Sequence, residues 1–309
     1  MDVRRIVLLG ATASGKTELS LQLAEELGTS IVSVDARQSY KFLDIGTAKV
    51  TKEQRKRVPH WNIDVLDPNE RDSPYAFLSR VESWEAHHWS NTPTPPPLLF
   101  VGGSTLYLKS IILGMDDMPK ANPIRVAELN QRADEEGLET LFKELQSIDP
   151  EYSTKMDGFN RQSLIRALDV YHETGKPFST YHSQEKAQCP NDIKVFGIKR
   201  NRQDLHERIN IRVDHMIKQG FEDEVRSLLE MGYTQDSPGL QTVGYSELLA
   251  AIDGALNRPD AIEKIKTNTR RYAKRQETWF RKWPFIQWLD ADHLSQGQMY
   301  NEIMKQLRH

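Results

Sequence analysis

The sequence predicts an α/β protein: a parallel sheet with helices on both faces, built around a phosphate-binding loop and interrupted by a helical insertion. Three observations predict it. The apolar run at residues 6–9 passes directly into "GATASGKTELS", residues 10–20. Two more short apolar runs, at 31–34 and 98–101, end in Asp35 and in Gly102 and Gly103. Strand-like runs then vanish between Met115 and Pro190 and return with "DIKVFGI", residues 192–198. Short strands alternating with helices favour a parallel sheet whose binding groups lie at the carboxyl ends of the strands.

Residues 5–9 read as a buried strand and 16–27 as a helix, with Leu19, Leu23 and Leu27 on one face at i, i+4 and i+8. The second and third strands are 31–34 and 98–101, the latter approached by the rigid "NTPTPPP" of residues 91–97. In the insertion, Asn122 with Pro123 opens a pair of helices that Pro150 stops. Asn160 caps another helix, which Gly175 to Pro177 terminates. After the strand at 192–198, the helix beginning near Asn201 carries apolar positions 205, 209, 213 and 216. A last helical zone spans about 260–282, and "FIQWLDA", residues 285–291, fits a sheet strand. The domains are then a first core segment (1–115), a helical insertion (116–190) and a second core segment (191–309) with a basic helix.

A chain of 309 residues with 38% apolar content suits about two domains with a real core. Lys and Arg number 41 against 44 Asp and Glu, so a nucleic-acid partner needs a local patch. One such patch exists: residues 263–282 carry eight basic side chains and two acidic ones, a balance of +6 against −9 for the rest. Arg270, Arg271, Lys274 and Arg275 form its basic face, with Ile262, Ile265, Tyr272, Phe280 and Trp283 turned inward. Such a face binds phosphates irrespective of base sequence, although a basic run is as often only a solvated helix face. The lone Cys189 excludes an internal disulfide and a multi-cysteine zinc site. His87 and His88 are adjacent, so on a helix they diverge by about 100° and make a poor metal pair. No run approaches the length of a membrane span, and a soluble, cytoplasmic monomer is expected.

Gly10, Thr12, Ala13, Ser14, Gly15, Lys16 and Thr17 lie within G-x-x-x-x-G-K-[ST], between strand and helix, the arrangement of a P-loop NTPase-like core. Backbone amides and the helix amino terminus attract oxyanions, Lys16 adds a point charge, and the Thr17 hydroxyl is placed to ligate Mg²⁺. The strand at 98–101 ends in glycines and Ser104, where many nucleotide triphosphatases place a metal-binding Asp. Asp35, at the end of another strand, is placed either as a general base on the acceptor side of the cleft or as a simple helix cap. Arg208 and Arg212, four apart on one helix, are suited to closing over a polyanion or to forming a solvated face with Glu207 and Asp214.

The segments "GATASGKTELS", "SVDARQSYKFLDIGTAK", "PHWNIDVLDP", "FVGGSTLYLKS", "RALDVYHETGKP", "RINIRVDHM", "TVGYSELL" and "TRRYAKRQETWFRK" together resemble the tRNA dimethylallyltransferases, also called tRNA isopentenyltransferases. The resemblance spans residues 6 to about 283 in the order of that family. It implies that the loop grips the diphosphate of dimethylallyl diphosphate. The acceptor would be N6 of the adenosine immediately 3′ of the anticodon, in tRNAs reading codons that begin with U. It implies Asp35 as general base, Lys16 and Ser104 beside the reacting groups, and Gln38 in adenine recognition. It also implies a helical insertion that embraces the anticodon stem-loop.

Tyr40 beside Asp35 is a candidate stacking face for RNA, and Arg166 on the inserted helix is assigned either to the RNA backbone or to a core ion pair. The chain departs from the family pattern at Ala36 and Ser39, at Ser104-Thr105, and in "KMDGFNRQSLIRALDV". Transfer to free adenine nucleotides is the alternative acceptor reading. The loop alone also permits an ATP-dependent small-molecule kinase, and the basic helix a non-catalytic RNA-binding protein.

Overall fold

The structure, a computed structural model, describes residues 3–90, 94–116, 118–156, 158–181 and 188–308. It opens with β1 (Arg5–Gly10), α1 (Lys16–Leu27), β2 (Ile31–Val34), α2 (Lys52–Arg57), β3 (His60–Trp61), α3 (Pro74–Ser90), β4 (Leu98–Gly102) and α4 (Thr105–Leu113). Helices α5 (Pro123–Glu135), α6 (Leu138–Ile148), α7 (Pro150–Lys155) and α8 (Arg161–Thr174) follow. The remainder is β5 (Ile193–Lys199), α9 (Arg202–Lys218), α10 (Phe221–Glu230), α11 (Tyr245–Ile252), α12 (Arg258–Phe280), β6 (Gln287–Asp290) and α13 (Gln296–Arg308). Two compact units result, Met1–Leu113 with Gln188–His309, and Gly114–Ala187.

In the larger unit all six strands pair in parallel, in the order β3-β2-β4-β1-β5-β6, the arrangement of a P-loop NTPase-like α/β core. Val7 of the central β1 lies opposite Phe100 on one side and Val195 on the other. Successive β1 side chains point to opposite faces, as a strand requires. Val7 and Leu9 join Phe77, Phe100, Leu108 and Phe280 in one apolar layer, while Ile6 and Leu8 join Leu19, Leu23 and Met299 in the other. The central strands β1, β2 and β4 are therefore almost wholly buried on both faces. A third cluster unites Tyr40, Leu43, Phe221, Leu228 and Tyr245 beside the carboxyl ends of the strands.

The smaller unit is helical in its described residues, with Leu129, Leu141, Leu145, Leu164 and Leu168 at its centre. Asn122 caps α5 by accepting from the Ile124 and Arg125 amides, and Asn160 caps α8 by accepting from that of Ser163. Gly175 closes α8 in the left-handed conformation. Pro150 acts differently from its predicted role as a terminator alone. It follows Asp149, which ends α6 and caps α7, and its fixed φ with no N–H suits the first position of α7. The first three residues of "NTPTPPP" lie outside the described residues. Among the described residues, no helix is long and apolar enough to cross a membrane.

Candidate active site

At the carboxyl ends of β1, β2 and β4 the larger unit holds a cleft of about 930 Å³, lined by residues 12–17, Asp35, Gln38, Arg208, Arg212 and Tyr272 among others. The turn that forms its floor depends on unusual backbone angles. Gly15, at φ 101°, precedes the first residue of α1, and Ala13 also has positive φ, at 63°. A side chain at Gly10 would press on Ser14 Oγ at 2.8 Å and on the Ile198 carbonyl at 2.9 Å. The close approach at Gly10 packs the turn against β5.

Three cationic side chains hydrogen-bond this turn, and a fourth, Arg212, lines the cleft beside it. Lys16 Nζ donates to the carbonyls of Gly10 at 2.9 Å and Ala11 at 2.8 Å. The residue as a whole is only partly covered, but its ammonium is enclosed. Burial, and then the Arg212 charge, push its pKa down to about 7 against an opposing pull from Asp35. Arg208 Nε donates to the Ala13 carbonyl at 3.0 Å, and Arg200 Nε to that of Ser14 at 2.9 Å. Arg212 reaches the Thr47 carbonyl at 3.4 Å; burial lowers its pKa and Asp35 opposes that shift. The exposed face of α9 thus presents Arg208 and Arg212 to the cleft, because Leu205, Ile209, Val213 and Met216 occupy its buried face.

Opposite the turn, Asp35 Oδ1 accepts from the Arg37 amide at 2.9 Å. Ser104 Oγ accepts from the Ala36 amide at 3.0 Å, so this hydroxyl holds the backbone next to Asp35. The Tyr272 hydroxyl hydrogen-bonds the Ser104 side chain; enclosure of that end of the ring, followed by the Asp35 charge, pushes its pKa up to about 12, while other edges of the residue stay open to the cleft. Tyr272, expected to turn inward, instead lines the cleft and is 36% exposed. Gln38 accepts from Ser33 Oγ at 3.1 Å and donates to the Ala48 carbonyl at 3.2 Å, which fixes its amide at the cleft wall.

One expectation for an RNA contact, Tyr40, is corrected, and for Arg166 the ion-pair alternative is the one observed. Tyr40 is 2% exposed and donates its hydroxyl to the Glu70 carbonyl, so its ring belongs to the core and cannot stack on a base. Arg166 pairs with the buried Asp169 at 2.7 Å and also donates to the Pro119 carbonyl, which makes it a brace inside the helical unit. The basic helix is divided. Arg270 donates to Asn210 Oδ1 at 2.5 Å and to Thr267 Oγ1, tying α12 to α9. Arg271, Lys274 and Arg275 are exposed, with Arg275 5.8 Å from the centre of the Tyr272 ring.

Sequence reasoning missed Arg200, the cleft-facing role of Tyr272, and Gln276. Tyr272 and Gln276 lie in "TRRYAKRQETWFRK", where the basic residues drew attention to charge. Arg200 follows β5 directly, and the only signal for it was the position of a cation at a strand end. Thr17 is exposed in the first turn of α1 and lines the cleft. Among the described residues no group of three or more His, Cys, Asp or Glu forms a metal cage. The Thr17 hydroxyl, open to the cleft, suits a small divalent ion that takes its other ligands from phosphate oxygens and water.

Two family models match the chain, IPP transferase over residues 38–283 and isopentenyl transferase over residues 1–61. The tRNA dimethylallyltransferase of Natranaerobius thermophilus is 37% identical over 303 residues, covering 97% of this chain and 90% of the relative. The tRNA dimethylallyltransferase 1 of Bacteroides thetaiotaomicron is 41% identical, covering 98% and 94%. Among solved structures, the tRNA isopentenylpyrophosphate transferase of Staphylococcus epidermidis superposes with a TM-score of 0.72 at 34% identity, covering 98% of both chains. A eukaryotic dimethylallyltransferase acting on tRNA reaches 0.78 at 26% identity, covering 98% of this chain and 77% of that one. Similarity along nearly the whole chain, to the family model and to relatives alike, places this protein in the IPP transferase family.

Proposed function

We propose that the protein transfers a dimethylallyl group from dimethylallyl diphosphate to N6 of the adenosine immediately 3′ of the anticodon, in tRNAs reading codons that begin with U, and releases diphosphate. The observation that carries this reading is the opposition, across one cleft, of Lys16, Arg208 and Arg212 to Asp35. An exocyclic adenine amine is a weak nucleophile because its lone pair is delocalised, so the reaction depends on an easily ionised partner. An allylic carbon meets that need. As its C1–O bond breaks, negative charge grows on the diphosphate, where loop amides and the three cations stabilise it more than in the ground state. The new bond joins N6 to C1, and the N6 proton passes to the Asp35 carboxylate. Ser104 and Tyr272 keep that carboxylate's backbone in place, and Gln38 is the side chain that reads the adenine edge.

Mg²⁺ would be held by Thr17 and the diphosphate oxygens, and would supply further charge neutralisation. The helical insertion of residues 116–190 is assigned to the anticodon stem-loop. Arg271, Lys274 and Arg275 are assigned to its phosphates.

Incubating the protein with labelled dimethylallyl diphosphate and either tRNA or AMP, in parallel with and without ATP, tests the proposal. Label in tRNA supports it; label in AMP alone replaces the acceptor, and ATP turnover without label transfer makes the protein a kinase. Asp35→Asn should slow transfer by about 10² to 10⁴ while tRNA affinity stays within about twofold. Equal losses of binding and turnover would remove Asp35 from the chemistry.

A further inference from the structure

We infer that Gln276 is a positioning residue, which pins the leading edge of the phosphate loop to the end of β4 and thereby sets the spacing between the leaving-group cradle and the acceptor side. The inference rests on the proposed transfer reaction for its functional meaning. Gln276 is 3% exposed. Its Oε1 accepts from the Thr12 amide at 2.9 Å, and its Nε2 donates to the Gly103 carbonyl at 2.8 Å. The Thr12 amide can only donate and the Gly103 carbonyl can only accept, so these partners admit one orientation of the carboxamide.

The surroundings are shaped for this side chain. A Cβ at Gly103 would stand 2.3 Å from Gln276 Nε2, so the close approach requires glycine there. Ala273, one turn earlier on α12 and 1% exposed, packs in the same cluster as Ala11, the residue before Thr12. The path then continues toward the acid: Ser104 follows Gly103, its Oγ takes the Ala36 amide at 3.0 Å, and Ala36 follows Asp35. Gln276 is therefore the side chain through which α12 joins the two halves of the site. By engaging the Thr12 amide it also leaves anion binding to donors further along the loop.

The test compares Gln276→Met, which keeps length and loses both hydrogen bonds, with Gln276→Glu, which keeps the acceptor and loses the donor. Inorganic diphosphate binding is measured by calorimetry, and KM and kcat are measured with dimethylallyl diphosphate and tRNA. Gln276→Met should weaken inorganic diphosphate binding and raise KM for dimethylallyl diphosphate by about tenfold, the scale of two lost hydrogen bonds, with tRNA affinity within about twofold. Gln276→Glu should bind diphosphate less well than Gln276→Met at about pH 8, because a carboxylate faces a carbonyl beside an anion site. Its gap to the unaltered protein should narrow toward about pH 6, since a protonated carboxyl restores the donor.

Unchanged diphosphate binding in both variants would overturn the inference. So would equal loss of tRNA and diphosphate affinity, the mark of a general packing defect. If Gln276→Met gives no cooperative melting transition, the pH-dependent gap in Gln276→Glu decides. Failure of the unaltered protein to transfer label would sink the proposed reaction, while the diphosphate series would still judge the positioning role.

Discussion

Replacing Arg271 and Arg275 together by Gln should flatten the salt dependence of tRNA binding, and replacing Lys266 by Gln should leave it unchanged. All three lie in the same basic run, and the structure distinguishes them. Lys266 Nζ sits 2.9 Å from both Asp214 and Glu263, with a side chain only 14% exposed, so its charge is already met. Arg271 and Arg275 are exposed, and Arg271 makes only a long contact of 3.3 Å with Asn268. Each phosphate contact contributes about 0.7 to 0.9 to the slope of log affinity against log salt, so losing two lowers the slope by about 1.6. Across a fourfold rise from about 50 to about 200 mM salt, the unaltered protein should lose about tenfold more affinity than the double variant. Fluorescence titration of a labelled anticodon stem-loop at four salt concentrations measures all three slopes. An unchanged slope in the double variant, or an equal change in Lys266→Gln, would refute the division of the helix into paired and phosphate-facing charges.

Two further outcomes follow from other parts of the larger unit. With a pKa of about 7, Lys16 is partly neutral near neutrality and becomes fully charged against a bound diphosphate. Binding should therefore take up a proton above about pH 7, and the Lys16 contribution to affinity should fall as pH rises through that value. Calorimetry in buffers of different ionisation enthalpy measures the uptake, and an equal uptake in Lys16→Met would contradict the assignment. Glu224 takes the Asp44 amide at 2.9 Å and the Ile45 amide at 2.7 Å on one oxygen, and the Gly46 amide at 3.1 Å and the Tyr245 hydroxyl at 2.6 Å on the other. In Glu224→Gln the new NH₂ can face Tyr245, whose hydroxyl turns to accept, but the Gly46 amide loses its partner, at a cost of about 2 kcal/mol. Urea denaturation tests this, and a change below about 0.5 kcal/mol would mean that the loop is held by packing alone.

The sequence by itself determined the features that depend on neighbours along the chain. Asn122, Asn160 and Gly175 mark helix ends because a cap is satisfied within a few residues, and α1 was readable because Leu19, Leu23 and Leu27 repeat at the helical period. The phosphate loop was equally legible, since its glycines and Lys16 act within one turn. β3 escaped notice because two residues carry no period, and its strand character comes only from pairing with β2.

Tertiary structure alone decided which polar side chains meet. Gln276 and the Thr12 amide lie 264 positions apart, and nothing in either neighbourhood announces the other. Tyr40 sits five residues beyond Asp35 in a polar motif, yet the Phe221 and Tyr245 cluster draws its ring out of solvent. Lys266 and Arg271 look alike in sequence, and only the carboxylates packed beside one of them separate their duties. Local geometry is specified by local torsions and periodicity, whereas the partner of a buried donor or charge is set by which distant segment the hydrophobic core brings alongside it.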